Sequence, residues 1–213
     1  VYKRQALTFM AKWDERHAGS SMHLHMSLWD ASRAHNAFAG QGVPMEGLPV
    51  AASDTFRWAA GGMMAHARAL TLFFAPTVNS YKRFQAESFA PTAITWGYDN
   101  RTTGFRIVGS GDGLRIECRI PGADANPYLA QAALLAAALD GIERRIEPPP
   151  LFAGNAYVLS DVPRVPRSLP EAIAAFEGSD LARTAFGEDV VEHYLHFART
   201  EQRKADEVVT CWE

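Results

Sequence analysis

The stretch GSSMHLHMSLWD, residues 19–30, sets His23, His25 and Ser27 at every second position, with Met22, Leu24, Met26 and Leu28 between them. Successive side chains of an extended strand point to opposite faces. The stretch therefore reads as a strand with two imidazoles and a hydroxyl on one side and only apolar groups on the other. A second alternating run, LRIECRI, spans residues 114–120. Leu114, Ile116, Cys118 and Ile120 point one way, as core packing, and Arg115, Glu117 and Arg119 point the other. Alone, each polar row has an ordinary explanation: imidazoles that bind nothing, and a solvated row of weak ion pairs. Between the two runs lie Lys82 and Arg83 after TVNSY, read as extended, then Arg101 in YDNRTTG and Arg106 in the strand GFRIV. If these short strands share one sheet, its polar face gathers guanidiniums, a carboxylate and two imidazoles. Arg binds phosphate or carboxylate in bidentate fashion, and Glu and His hold divalent ions. That chemistry suits phosphoryl transfer, where positioning and charge stabilisation do most of the catalysis.

Composition sets the outer limits. A chain of 213 residues, 47% of them hydrophobic, can bury a sizeable core. Its 21 basic and 24 acidic residues are nearly balanced, which argues against nucleic acid or an anionic membrane as partner. No apolar run approaches the ~20 residues of a membrane helix; AQAALLAAALDGI comes nearest, between Gln131 and Asp140. Two cysteines, Cys118 and Cys211, make no disulfide framework, so a reducing, cytoplasmic compartment is expected.

Residues 5–12 and 20–29 read as strands. Asp54 has N-cap character before the helical TFRWAAGGMMAHARALTLFF, which Pro76 ends. Residues 78–121 read as short extended runs broken by turns. GSGDG at 109–113 lacks the Lys-Ser/Thr ending of a phosphate loop and leads into a strand. Asn126 caps a further helix with Pro127 in its first turn, Ser168 and Glu171 offer a capping box, and the last third is helical. The expected fold is α+β: an antiparallel sheet that carries the active-site face and is covered by helices on the other.

GSSMHLHMSL, NSYKRF, DNRTTGFRI and RIECRIPGADANPYLAQAALLAAALDGI resemble, in order and spacing, the carboxy-terminal catalytic domain of the glutamine synthetase family. The likeness runs from about Thr8 to Ile142, with a looser helical tail. It implies a ligase that makes γ-glutamyl phosphate from ATP and glutamate, after which an amine displaces the phosphate. By that resemblance His23 is a metal ligand, His25 and Ser27 contact the nucleotide, and Glu117 binds the nucleotide-side metal, Mg2+ or Mn2+. Gly19, Arg83 and Arg119 hold glutamate, Arg101 stabilises the transferring phosphate, and Arg106 and Arg115 lie beside the ATP phosphates.

Two departures from the family pattern stand out. Ammonia-using members carry a glutamate immediately before AP in the loop after NSYKR; here the loop reads FQAESFAP, with Phe89 in that place and Glu87 two residues earlier. An aromatic ring there suits a larger, partly apolar amine, whereas Glu87 acting as the missing carboxylate would suit ammonia. The second departure is the short GSGDG before LRIE. The resemblance also implies upstream metal carboxylates, an amino-terminal β-grasp domain and a double-ring homo-oligomer. Residues 1–5 are accordingly read as an artefact or linker and 6–213 as a partial catalytic domain, inactive by itself. A non-catalytic family descendant is the contrasting possibility, disfavoured because the matching arginines and His23 are all present.

Overall fold

The computed structural model describes residues 7–40, 45–85 and 88–210; the reading of 1–5 as artefact or linker falls outside them. The first strand, β1, covers Leu24–Met26. It pairs antiparallel with β4 (Arg115–Cys118), setting His25 opposite Glu117. On its other edge β4 pairs antiparallel with β3 (Phe105–Val108), which sets Arg106 opposite the same Glu117. β2 (Trp96–Tyr98) completes the sheet in the order β1-β4-β3-β2.

The sheet is thus α+β as expected, with one correction. β2 and β3 run parallel, Trp96 opposite Phe105 and Tyr98 opposite Ile107. A parallel connection normally needs a dozen or more residues, but a three-residue strand is only about 10 Å long. The segment between Tyr98 and Phe105 can therefore carry the chain back, at about 3.3 Å per residue, turning at Asp99 with φ 48°.

Below the sheet lies α1, Asp54–Phe74. Ser53 rather than Asp54 is its N-cap: Phe56 N donates to Ser53 Oγ at 3.1 Å, and Asp54 occupies the first turn, where a carboxylate favours the helix dipole. The Phe56 ring lies 6.0 Å from Trp96 of β2 and 5.4 Å from Phe38, joining helix to sheet. α3 (Pro127–Arg144) starts at Asn126 and Pro127 as anticipated. It crosses α1 at a glycine pair: a Cβ on Gly62 would lie 2.6 Å from Gly141 Cα and overlap the Ala137 carbonyl. His66 and Asp140 tie the same two helices together at 2.6 Å. The tail adds α4 (Leu169–Glu177), α5 (Asp180–Phe186) and α6 (Glu188–Asp206), gathered on Phe73, whose ring meets Phe176, Phe186 and Tyr194 edge-on. No helix among the described residues is long and apolar enough to cross a membrane.

Two extended readings fail. Residues 7–12 form no strand; Lys12 instead exchanges backbone hydrogen bonds with the Asn79 side chain at 2.9 and 2.8 Å, and Leu7, Phe9 and Met10 are exposed. Apolar alternation cannot make a strand without a neighbour to pair with. TVNSY is not extended either: Val78–Tyr81 is a short helix, α2, opened by a capping box between Thr77 and Ser80.

Gly62→Leu is expected to lower stability by about 3 kcal/mol, the upper end of overpacking effects. Gly113→Ala, with no atom within 4 Å of the added Cβ, is expected to stay within about 0.5 kcal/mol. Thermal or urea unfolding of the two variants checks the contrast.

Candidate active site

The pairing register alone brings the two polar rows together. Glu117 sits on the central strand between His25 on one side and Arg106 on the other. Its side chain is the hub. His23 Nδ1 lies 2.9 Å from Oε1, Arg119 Nη1 donates to Oε1 at 2.8 Å, and Arg106 Nη1 donates to Oε2 at 2.8 Å. His25 stands farther off, its Nε2 3.9 Å from Oε1, and Arg115 Nε donates to His25 Nδ1 at 3.3 Å.

The Arg-Glu-Arg row is not a solvated one. Glu117 is 3% exposed and Arg119 8%, and a carboxylate taken so far out of water requires paired cations and hydrogen bonds. Burial opposes the Glu117 charge, but the Arg106 hydrogen bond and the Arg119 and His23 charges outweigh it and hold the pKa below the usual value. Burial, with the Arg119 charge beside it, lowers the His23 pKa from 6.5, while Glu117 pulls the other way. The imidazole is therefore neutral near pH 7, the form that ligates metals. Ser21 Oγ, 3.1 Å from its Nε2, orients the ring.

A second group lies beside the sheet. Arg83, 2% exposed, stacks over Phe84 with 4.9 Å to the ring centroid and donates to the Ile120 carbonyl. Gly19 packs against its stem: a Cβ there would lie 2.7 Å from Arg83 Cγ. These two residues, assigned to one substrate by resemblance, are neighbours in space.

Other expected residues stand apart. Ser27 Oγ accepts from Trp29 Nε1 at 3.0 Å, next to the row rather than in it. Arg101 is exposed in the turn after β2 and lines a cavity of about 790 Å3 with Tyr98, Asp99 and Phe152. Phe89 is 76% exposed with φ 59°, a left-handed backbone unusual for an aromatic residue. Glu87 lies outside the described residues.

Asp99 is a site residue that sequence reasoning missed. Arg106 Nε donates to its Oδ1 at 3.0 Å, so the guanidinium is held between Asp99 and Glu117. The Arg106 hydrogen bond and charge hold the Asp99 carboxyl below the usual range, with Arg101 adding to the effect. The available signal was the DN pair at 99–100, since Asp and Asn tolerate the left-handed turn.

Glu117→Gln is expected to destabilise by about 3 kcal/mol, because Arg106 and Arg119 lose a buried counter-charge. The sign of the pH effect follows from the lowered Glu117 pKa: its contribution is present above the ordinary carboxylate pKa of about 4.3 and lost as pH falls through the depressed value. NMR titration should find His23 below 6.5, and lower still in Glu117→Gln. A midpoint above 6.5 would contradict the arrangement.

Comparison with known proteins places this geometry. The family model described as "Glutamine synthetase, catalytic domain" matches residues 3–213. The chain is 49% identical over 208 residues to a gamma-glutamylethanolamide synthetase of Streptomyces coelicolor, covering 98% of this chain and 43% of that protein. A glutamate–isopropylamine ligase of Pseudomonas sp. is 40% identical over 214 residues, covering 97% and 44%. A glutamine synthetase of Pyrococcus abyssi is 40% identical over 202 residues, covering 91% and 44%. Among solved structures, apo GmaS superposes with a TM-score of 0.85 at 35% identity, covering 97% of this chain and 46% of that one. The chain thus spans less than half the length of these relatives. A match across nearly all of these 213 residues, with the polar sheet face intact, makes the chain a member of the glutamine synthetase family.

Proposed function

We propose that these residues form part of an ATP-dependent ligase that joins glutamate to an amine through γ-glutamyl phosphate, with an amine larger than ammonia. The observation that carries the reading is the buried Glu117 hub, with His23, Arg106 and Arg119 within 2.9 Å of its oxygens. Structural ion pairs alone gain little from such burial, whereas a site for phosphates and a divalent cation calls for this set of groups. The printed activities of the ethanolamide and isopropylamine relatives support the choice of amine.

In this reading Arg83 and Arg119 hold the glutamate carboxylates, with Gly19 giving the substrate close access to backbone. Arg106 and Arg115 meet the ATP phosphates, and His25 and Ser27 contact the nucleotide. Arg101 places its charge on the phosphoryl group in transit, where the transition state spreads negative charge over the equatorial oxygens. Asp99 and Glu117 together keep Arg106 from swinging to solvent.

The metal, Mg2+ or Mn2+, fits the donor set in part. A neutral imidazole and a carboxylate already surrounded by cationic groups are suitable ligands, His23 for one ion and Glu117 for another. Among the described residues no group of three or more His, Cys, Asp or Glu side chains is placed to hold an ion, so further ligands have to come from elsewhere in the protein. When bound, such an ion neutralises phosphate charge and polarises the phosphoryl oxygens. A homo-oligomer, arranged as a double ring, belongs to the same proposal.

The second reading, a glutamine synthetase using ammonia, is favoured by the Pyrococcus relative, as similar to this chain as the isopropylamine ligase at 40% identity. Glu87 would then act on the incoming ammonium, while Phe89 lines the amine pocket in the first reading. Glutamate-dependent phosphate release from ATP by the intact gene product, with ammonium, ethanolamine, methylamine, isopropylamine, putrescine and spermidine in turn, separates the two. Turnover with a larger amine and little with ammonium is expected, and Phe89→Glu should shift preference towards ammonium. Turnover with ammonium alone would establish the second reading. Arg101→Gln should lower kcat about 100-fold with little change in either KM, as expected for a group that acts mainly in the transition state.

A further inference from the structure

Arg83 has an unusual setting for a charged side chain. It follows α2 directly, is 2% exposed, and its Nε has no hydrogen-bond partner among the described residues. On the connection from β4 to α3, Asp124 has a matching deficiency: its Oδ1 is also buried and unpartnered among them. Both groups flank Gly122, where a Cβ would lie 2.5 Å from Asp124 Oδ1 and 3.7 Å from Arg83 Nε. Glycine leaves the gap between them open.

The other carboxylate oxygen is occupied. Ser80 Oγ donates to Asp124 Oδ2 at 2.6 Å and Thr77 Oγ1 at 3.2 Å. These are the two residues of the α2 capping box. One carboxylate thus fixes the start of the four-residue helix whose far end delivers Arg83. Burial pulls the Arg83 guanidinium down to about 10, and the Asp124 charge is the largest influence opposing that. The connection is itself anchored: Ala123 N donates to Ser20 O at 3.1 Å and Gly122 N to Phe74 O at 2.9 Å. Ser20 adjoins Gly19, which packs on the Arg83 stem.

From this geometry we infer that Asp124 is the positioning residue of the glutamate half-site, aiming Arg83 through Ser80 and Thr77 and supplying the counter-charge for its buried guanidinium. The inference rests on the reading of Arg83 as a holder of a glutamate carboxylate. Asp124 acts from behind Arg83, so its loss should weaken glutamate binding and leave the nucleotide side alone.

The test is steady-state kinetics of the intact gene product with three variants. Asp124→Asn keeps an acceptor for Ser80 but removes the charge. It should raise the glutamate KM about tenfold, with the ATP KM within about twofold and the thermal midpoint retained, a selectivity that general loosening does not produce. Ser80→Ala keeps the charge and removes one anchor, and should raise the glutamate KM about threefold. It carries the test if Asp124→Asn fails to fold. Arg83→Lys is the control for the underlying reading. If Arg83→Lys raises the glutamate KM and the other two variants do not, the role of Asp124 is overturned and that of Arg83 stands. If Arg83→Lys also has no effect, both fall together. Parallel loss of ATP affinity, glutamate affinity and thermal midpoint in Asp124→Asn would overturn the positioning role in favour of a purely structural one.

Discussion

A carboxylate buried to 3% exposure in the middle of a sheet is the constraint on which the rest of this molecule turns. Glu117 cannot leave water alone; the desolvation of a lone ion amounts to several kcal/mol even after relaxation. Its pairing requires cations from its own strand, from the strand on each side, and from no great distance. β1 provides His23 and His25, β3 provides Arg106, and β4 itself provides Arg119. The antiparallel register of three short strands is therefore bound to the charge pattern. A slip of one residue would turn every one of these groups to the apolar side.

What holds those strands in register lies beneath them. The apolar row of β4, Ile116 and Cys118 with flanking Leu114 and Ile120, is fully buried against the helical layer. That layer is tight because α1 and α3 meet at Gly62 and Gly141, backbone against backbone. Burial pushes the Cys118 thiol up to about 12, so it is a packing group without reactivity. The aromatic cluster around Phe73 ties the helical tail to the same layer. A rigid apolar floor and a charged upper face are two consequences of one alternating pattern.

Ligand-binding groups reach the site by different routes, and this affects how they could be recognised. Strand residues arrive by register. Arg83 arrives at the end of a four-residue helix, and Arg101 on a turn that opens with Asp99 in a left-handed conformation. Turns and short helices are placed by what they touch, here Asp124 for α2 and Arg106 for the Asp99 turn. The supporting carboxylates are therefore invisible to a reading that looks for chemistry-bearing rows.

The alternation of HLHMS and RIECR determined two strands with one polar and one apolar face, because side-chain direction in a strand depends only on position parity. Local chemistry likewise determined α1 and α3 with their caps, to within the shift from Asp54 to Ser53. The four ordered motifs carried the family. Tertiary structure alone decided that β2 runs parallel to β3, that residues 7–12 are not a strand, and that VNSY coils into a helix. It also decided that Glu117 is buried rather than solvated, and that Asp99 and Asp124 stand behind the arginines. The physical reason is common to all of these: strand direction, burial and second partners depend on contacts between residues far apart in the chain, and no local pattern encodes the distance between them.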